Sequence, residues 1–165
     1  MLATAVLSLT SAPLAGRAAA FLSEQPILTT SESGSLFTGS PLLAPGGPPV
    51  ARTVRLANVG AKARTVGLYF QHYRARGRGS GPTCTAPDPG KGFEMAVSVD
   101  GKNVYQGTLS DFGRDHASSD LPLTLPGNWG PGSTHAVTVA VDLSRSAGNE
   151  FEGCGPTTDF VWIAE

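Results

Sequence analysis

Charge is scarce in this sequence: only 15% of its 165 residues are Asp, Glu, Lys or Arg, and the formal net charge is −1. Such a chain has no global field to draw in a nucleic acid or an anionic membrane surface, so partners that depend on one are not expected. Outside the first residues, no apolar run approaches the roughly 20 residues that a membrane-crossing helix needs. No long segment carries a 3.6-residue apolar stripe either, which argues against an α-helical domain. Recognisable catalytic signatures are missing as well. The three histidines, His72, His116 and His135, form no H-E-x-x-H pair. There is no G-x-S-x-G elbow, and no Gly-rich loop leads from a strand into a helix. No N-x-S/T acceptor occurs.

Turn formers and short apolar runs are plentiful. The chain holds 21 glycines and 13 prolines, and 40% of its residues are hydrophobic. Apolar runs separated by Gly, Pro and Asn suit many short strands better than disorder. The length suffices for one domain with a sizeable core.

The start, "MLATAVLSLTSAPLAGRAAA", reads as an export signal over residues 1–20. It has an apolar stretch from Leu2 to Leu9 and small residues, Ala18-Ala19-Ala20, in the A-x-A cleavage pattern. It lacks a basic residue at its beginning, since Arg17 comes late. Cleavage after Ala20 by a signal peptidase leaves Phe21 as the first mature residue, and the mature protein is expected outside the membrane. Two cysteines, Cys84 and Cys154, fit an oxidising compartment, where an even count permits full pairing. A disulfide is the expected state. Two buried free thiols are the alternative, and metal ligation is disfavoured because neither cysteine has a C-x-x-C or Cys/His partner at zinc spacing.

Strand signals recur along the mature chain. "SGSLFTGS" is a short candidate. After the turn Pro45-Gly46-Gly47-Pro48-Pro49, residues Val50, Val54 and Leu56 share a face; after Asn58 and Gly60, Val66, Leu68 and Phe70 do the same. The brief "NVGAK" connection predicts that these two strands pair as a hairpin. From Arg74 to Gly92 the alternation stops in a long polar loop containing Cys84, a length that calls for an anchor. Phe93, Met95, Val97 and Val99 then alternate up to Asp100-Gly101, a two-residue turn that predicts a hairpin with Val104-Tyr105. "GTLSDF" predicts a helical turn. Leu121, Leu123 and Leu125, punctuated by Pro122 and Pro126, read as an edge or irregular segment. "THAVTVAVDL" is the strongest strand. "TDFVWIAE" is apolar on both faces and suits a central or doubly covered position. Gly148-Asn149 reads as a turn, and Gly153 as the residue that allows the return into the last strand. About eight strands with frequent turns predict an all-β fold, an antiparallel two-sheet sandwich of jelly-roll type.

Candidates for chemistry are few. Asp111, Asp115, Asp120 and His116 cluster in "LSDFGRDHASSDL", but their spacing matches no calcium loop and they read as a solvated polar segment. Arg74, Arg76 and Arg78 keep a loop solvated. Glu150 and Glu152 lack a paired acid or histidine. No catalytic, cofactor or metal residue is assigned, and no cofactor is expected. Trp162 reads as core, while Trp129, in a Gly/Pro turn, reads as exposed and able to stack on a sugar.

The order of motifs over the mature chain resembles the TasA/camelysin family of secreted bacterial biofilm-matrix proteins. "AAAFLSE" stands at the cleavage junction, followed by "GSLFTGSPLLAPGGPPVARTVRLANVG", "NVYQGTLSDF", "PGSTHAVTVAVDLSRSAGNEFEGC" and the closing "DFVWIAE". The cysteine pair departs from the family pattern. The resemblance implies a jelly-roll domain over residues 33–165, preceded by an extended segment, residues 21–32. It implies a non-enzymatic structural protein of the extracellular matrix that self-associates into homopolymeric fibres, the N-terminal segment of one subunit completing a sheet of its neighbour. The donor segment is residues 21–30, with Phe21, Leu22, Ile27 and Leu28 as apolar anchors for assembly. Two alternatives stand beside it. One is a monomeric secreted binding module for carbohydrate or a cell-surface partner. The other, which some relatives suggest but no residue here supports, is a metalloprotease.

Overall fold

A computed structural model describes residues 28–30, 43–77 and 80–165; the side chains of Thr29 and Thr30 are not described. The segment "SGSLFTGS", the export signal and the anchors Phe21, Leu22 and Ile27 lie outside the described residues. Eight strands are seen: β1 Leu28–Thr30, β2 Val50–Asn58, β3 Arg64–Arg74, β4 Phe93–Val99, β5 Lys102–Thr108, β6 Leu123–Trp129, β7 Thr134–Leu143 and β8 Thr157–Ala164. One short helix, α1 Leu109–Asp115, follows β5, and 3-10 turns occupy Pro89–Gly92 and Asn149–Phe151.

The strands form two antiparallel sheets, one of order β1-β2-β7-β4-β5 and one of order β6-β3-β8. Three of the pairings, β2 with β7, β3 with β6 and β4 with β5, match strands whose numbers sum to nine. That is the pattern of one long ribbon of paired strands folded over into two layers, which defines a jelly-roll sandwich. The fourth pairing of that series would set β1 against β8. Instead β1 lies against β2, with Leu28 opposite Asn58 and Thr30 opposite Leu56. Among the described strands, β8 has a neighbour, β3, on one side only.

Alternation in the sequence sets the core between the layers. Val54 and Leu56 of β2, Met95, Val97 and Val99 of β4, and Val137, Val139, Val141 and Leu143 of β7 face it from the larger sheet. Val66, Leu68 and Phe70 of β3, Leu125 of β6, and Phe160 and Trp162 of β8 face it from the smaller. Complete burial of a Leu, Val or Phe side chain contributes roughly 1.5–3 kcal/mol, so these rows hold the layers together. Phe112 of α1 seals one end against Phe70, ring centroids 4.4 Å apart. Thr108 caps that helix by accepting from the Asp111 N–H at 3.1 Å. The expected helical turn is therefore present.

Asp100 and Gly101 adopt positive φ, 49° and 79°, and close the expected β4–β5 hairpin. The β2–β3 hairpin does not form. β2 belongs to the larger sheet and β3 to the smaller, so the "NVGAK" connection crosses between layers. Both strands carry apolar faces that must meet the same core, and a local hairpin would place them in one sheet. β2 finds its partner far along the chain in β7, which offers a longer alternating run. The last strand is covered on both faces, as expected, because Tyr69, Val161 and Ile163 form a second buried cluster on the outer side. It is not central, since it stands at the end of its sheet in the described residues.

Candidate functional site

The segment expected to act in assembly enters the described structure at Leu28. Its side chain is 7% exposed and belongs to the main core, and the backbone of Leu28–Thr30 extends β2 by three opposed residue pairs. The N-terminal strand therefore docks on its own chain here. The docking place is the far end of β2, where Asn58 organises the crossing connections. Asn58 is fully buried; its Nδ2 donates to Lys62 O at 2.8 Å and to Trp129 O at 2.7 Å, and its Oδ1 accepts from Gly60 N–H at 2.9 Å. Its backbone N–H donates to Ser133 O, and its carbonyl accepts from Gly132 N–H. One side chain thus satisfies the turn after β2 and the end of β6 together.

Cys84 and Cys154 form the expected disulfide across a separation of 70 residues. The loop after β3 is clasped against the approach to β8 along its length. Gly77 N–H donates to Gly155 O, Gly81 N–H to Gly153 O, and Thr85 and Ala86 N–H both to Glu150 O. Gly153 adopts φ +69°, and a Cβ there would sit 2.5 Å from Thr83 Oγ1, so glycine is needed for both reasons. The stretch from Asp142 to Cys154 is the counterpart of this clasp.

The residues considered for chemistry are dispersed. His72 adopts φ 54° at the irregularity between Gln71 and Arg74, and its Nδ1 lies 2.8 Å from Asp159 Oδ2 at an exposed position. His116 Nδ1 meets the Leu121 carbonyl at 3.0 Å, with its ring against Phe112. Asp111 and Asp115 both pair with the exposed Arg114, at 3.0 and 2.8 Å. The hydrogen bond from Thr108 first, and the Arg114 charge after it, hold Asp111 below the ordinary aspartate range; Arg114 does the same for Asp115. Arg76 donates to the Ala86 carbonyl at 3.2 Å within the clasped loop. Arg78 lies outside the described residues. Among the described residues, no three His, Cys, Asp or Glu side chains converge as a metal site would require. No described helix is long and apolar enough to cross a membrane.

Trp129 corrects the reading of its turn. It is 2% exposed, and its Nε1–H donates to Leu125 O at 3.2 Å. The ring folds back under its own strand, because an indole gains more from burial with its N–H satisfied than from standing in water. It is not a platform for sugars.

One arrangement has no counterpart in the sequence reading. His135 on β7 lies between the β4–β5 turn and β6, with Nδ1 2.7 Å from Asp100 Oδ2 and Nε2 3.1 Å from Asn128 O. Its ring rests on Trp129, with centroids 4.3 Å apart. Asp100 Oδ1 also accepts from Ala136 N–H at 2.9 Å. The bond to Asp100 raises the His135 pKa above the ordinary value against an opposing effect of burial, and the bonds from His135 and Ala136 lower that of Asp100. Nothing in "PGNWG" or "THAV" marks these residues as neighbours.

In comparisons with known proteins, no family model and no curated protein matches this chain. Among solved structures, the chain is similar to dimeric latent PorU from Porphyromonas gingivalis. The identity is 18% and the TM-score 0.36, over 83% of this chain and 12% of that one.

Proposed function

We propose that this chain is a secreted structural protein of the extracellular matrix, which assembles into homopolymeric fibres by donating its N-terminal strand to a neighbouring subunit. The observation that carries this reading is that β1 pairs with β2 at the edge of the larger sheet, where the ribbon pattern would set it against β8. It makes three opposed pairs with β2 and buries one described apolar side chain, Leu28. That side chain contributes roughly 2 kcal/mol. A neighbour's β2 offers the same pairs and the same pocket, so exchange between chains costs little once subunits are concentrated. Main-chain hydrogen bonds to a strand edge supply the affinity, and the alternate side chains supply the register. The export-like start, a disulfide suited to an oxidising compartment and the resemblance to the TasA/camelysin family support the same reading.

The test is deletion. Chains beginning at residue 21 form filaments under electron microscopy, and chains lacking residues 21–30 remain folded and form none. Filaments of unchanged appearance from the shortened chain would remove the reading.

A further inference from the structure

The partners of His135 decide its protonation on geometry alone. Asp100 presents an exposed carboxylate and Asn128 a backbone carbonyl, and both are acceptors. An imidazole can donate from both nitrogens only as the imidazolium. The ring also packs against that of Trp129, with centroids 4.3 Å apart and planes tilted by 51°.

The three groups come from different parts of the sandwich. Asp100 lies in the β4–β5 turn and His135 on β7, both in the larger sheet, while Asn128 lies on β6 at the edge of the smaller one. Gly127, before Asn128, adopts φ +135°, and a Cβ there would stand 3.2 Å from His135 Cε1. The backbone of β6 therefore approaches the ring as only glycine allows. Charged residues on the surrounding elements include Asp100 and Lys102 near the β4–β5 turn, Arg52 and Arg55 on β2, and Lys62 and Arg64 around the β2–β3 connection. Of these, Asp100 is the group whose charge acts on the ring, and Lys102 acts in turn on Asp100.

We propose that Asp100, His135 and the Asn128 carbonyl form a proton-held clasp between the two sheets, and that loss of the proton from His135 opens this end of the sandwich. Without it, one ring nitrogen carries a lone pair toward either the carboxylate or the carbonyl, and that contact turns from attraction to repulsion. The sign follows from His135 being more basic when folded. The clasp is complete below the ordinary histidine pKa of about 6.5 and is lost as the pH rises through the higher folded value. On the acid side it persists until Asp100 is protonated, below the ordinary aspartate value of about 3.9. The device therefore holds in mildly acid surroundings and loosens in alkaline ones.

Two measurements test it on the whole chain. In ¹⁵N-histidine spectra at pH 6, below the ordinary histidine value, both His135 ring nitrogens should carry hydrogen, and a neutral tautomer at that pH would overturn the proposal. Hydrogen exchange, corrected for its intrinsic pH dependence, should speed up about tenfold at Asn128, Trp129 and Ala136 between pH 6 and pH 9. Amides of Leu68 and Phe70 should not change. In His135→Gln the pH dependence at those three amides should vanish. The same dependence in His135→Gln, or none in the unmodified chain, would contradict the clasp.

Discussion

Replacing both cysteines with alanine probes the largest single constraint on this fold. Cys84 and Cys154 enclose a separation of 70 residues. In the chain-entropy model, releasing that loop in the unfolded chain costs about 4 kcal/mol of stability at 25 °C. Domains of this kind are stable by roughly 5–15 kcal/mol, so the loss is a large share. The folded state should change little, because Gly77, Gly81, Thr85 and Ala86 still donate to the carbonyls of 150–155. With a urea slope of about 2 kcal/mol per molar, the unfolding midpoint of C84A/C154A should fall by about 2 M with the slope nearly unchanged. Reduction of the unmodified protein should give a similar shift. Single substitutions are less informative, since each leaves a thiol free to pair between chains. A midpoint shift below about 0.5 M would refute the reasoning, showing that the main-chain clasp alone holds the loop and that the unfolded chain is compact without the bond.

Two further substitutions test particular interactions. Asn58→Ala removes a buried carboxamide that serves Lys62 O, Trp129 O and Gly60 N–H, and should lower stability by about 3 kcal/mol in urea denaturation. Asp142 lies directly opposite Glu94 across two strands, and burial first, then the Glu94 charge, raises its pKa. An aspartate more basic when folded destabilises once ionised, so Asp142→Asn should be more stable than the unmodified chain at pH 7, by under about 1 kcal/mol. That advantage should disappear near pH 3, and an advantage that grows toward low pH would contradict the assignment.

Much of the sandwich is written in local signals. Asp100-Gly101 specifies its hairpin because positive φ is needed there and these residues tolerate it. The alternation of Val137, Val139, Val141 and Leu143 marks β7 for one buried face, and the double-sided apolar run in β8 marks it as covered twice. The cysteines declare their pairing through their number and context. Other features depend on distant neighbours. "NVGAK" looks like a hairpin turn, yet the choice between pairing and crossing rests on β7, some 80 positions beyond β2 in the register. Trp129 sits among turn formers, and its burial follows from the ring folding back along β6 to reach the Leu125 carbonyl. The contact of His135 with Asp100 and Asn128 joins three separate segments and has no signature in any of them. Of the assembly anchors, Leu28 is placed in a sheet, while Phe21, Leu22 and Ile27 lie outside the described residues.

Strand exchange is most directly tested by fixing β1 to β2 covalently. Thr29 stands opposite Ala57, and opposed residues of an antiparallel pair are about 4.5–5.5 Å apart at Cα, within disulfide reach. A T29C/A57C chain, assembled reduced and then oxidised, should run as a ladder of covalent multimers on a non-reducing gel, whereas dilute unassembled chains should run as monomers. Fibres that yield only monomers after efficient oxidation would contradict donation of this strand between subunits.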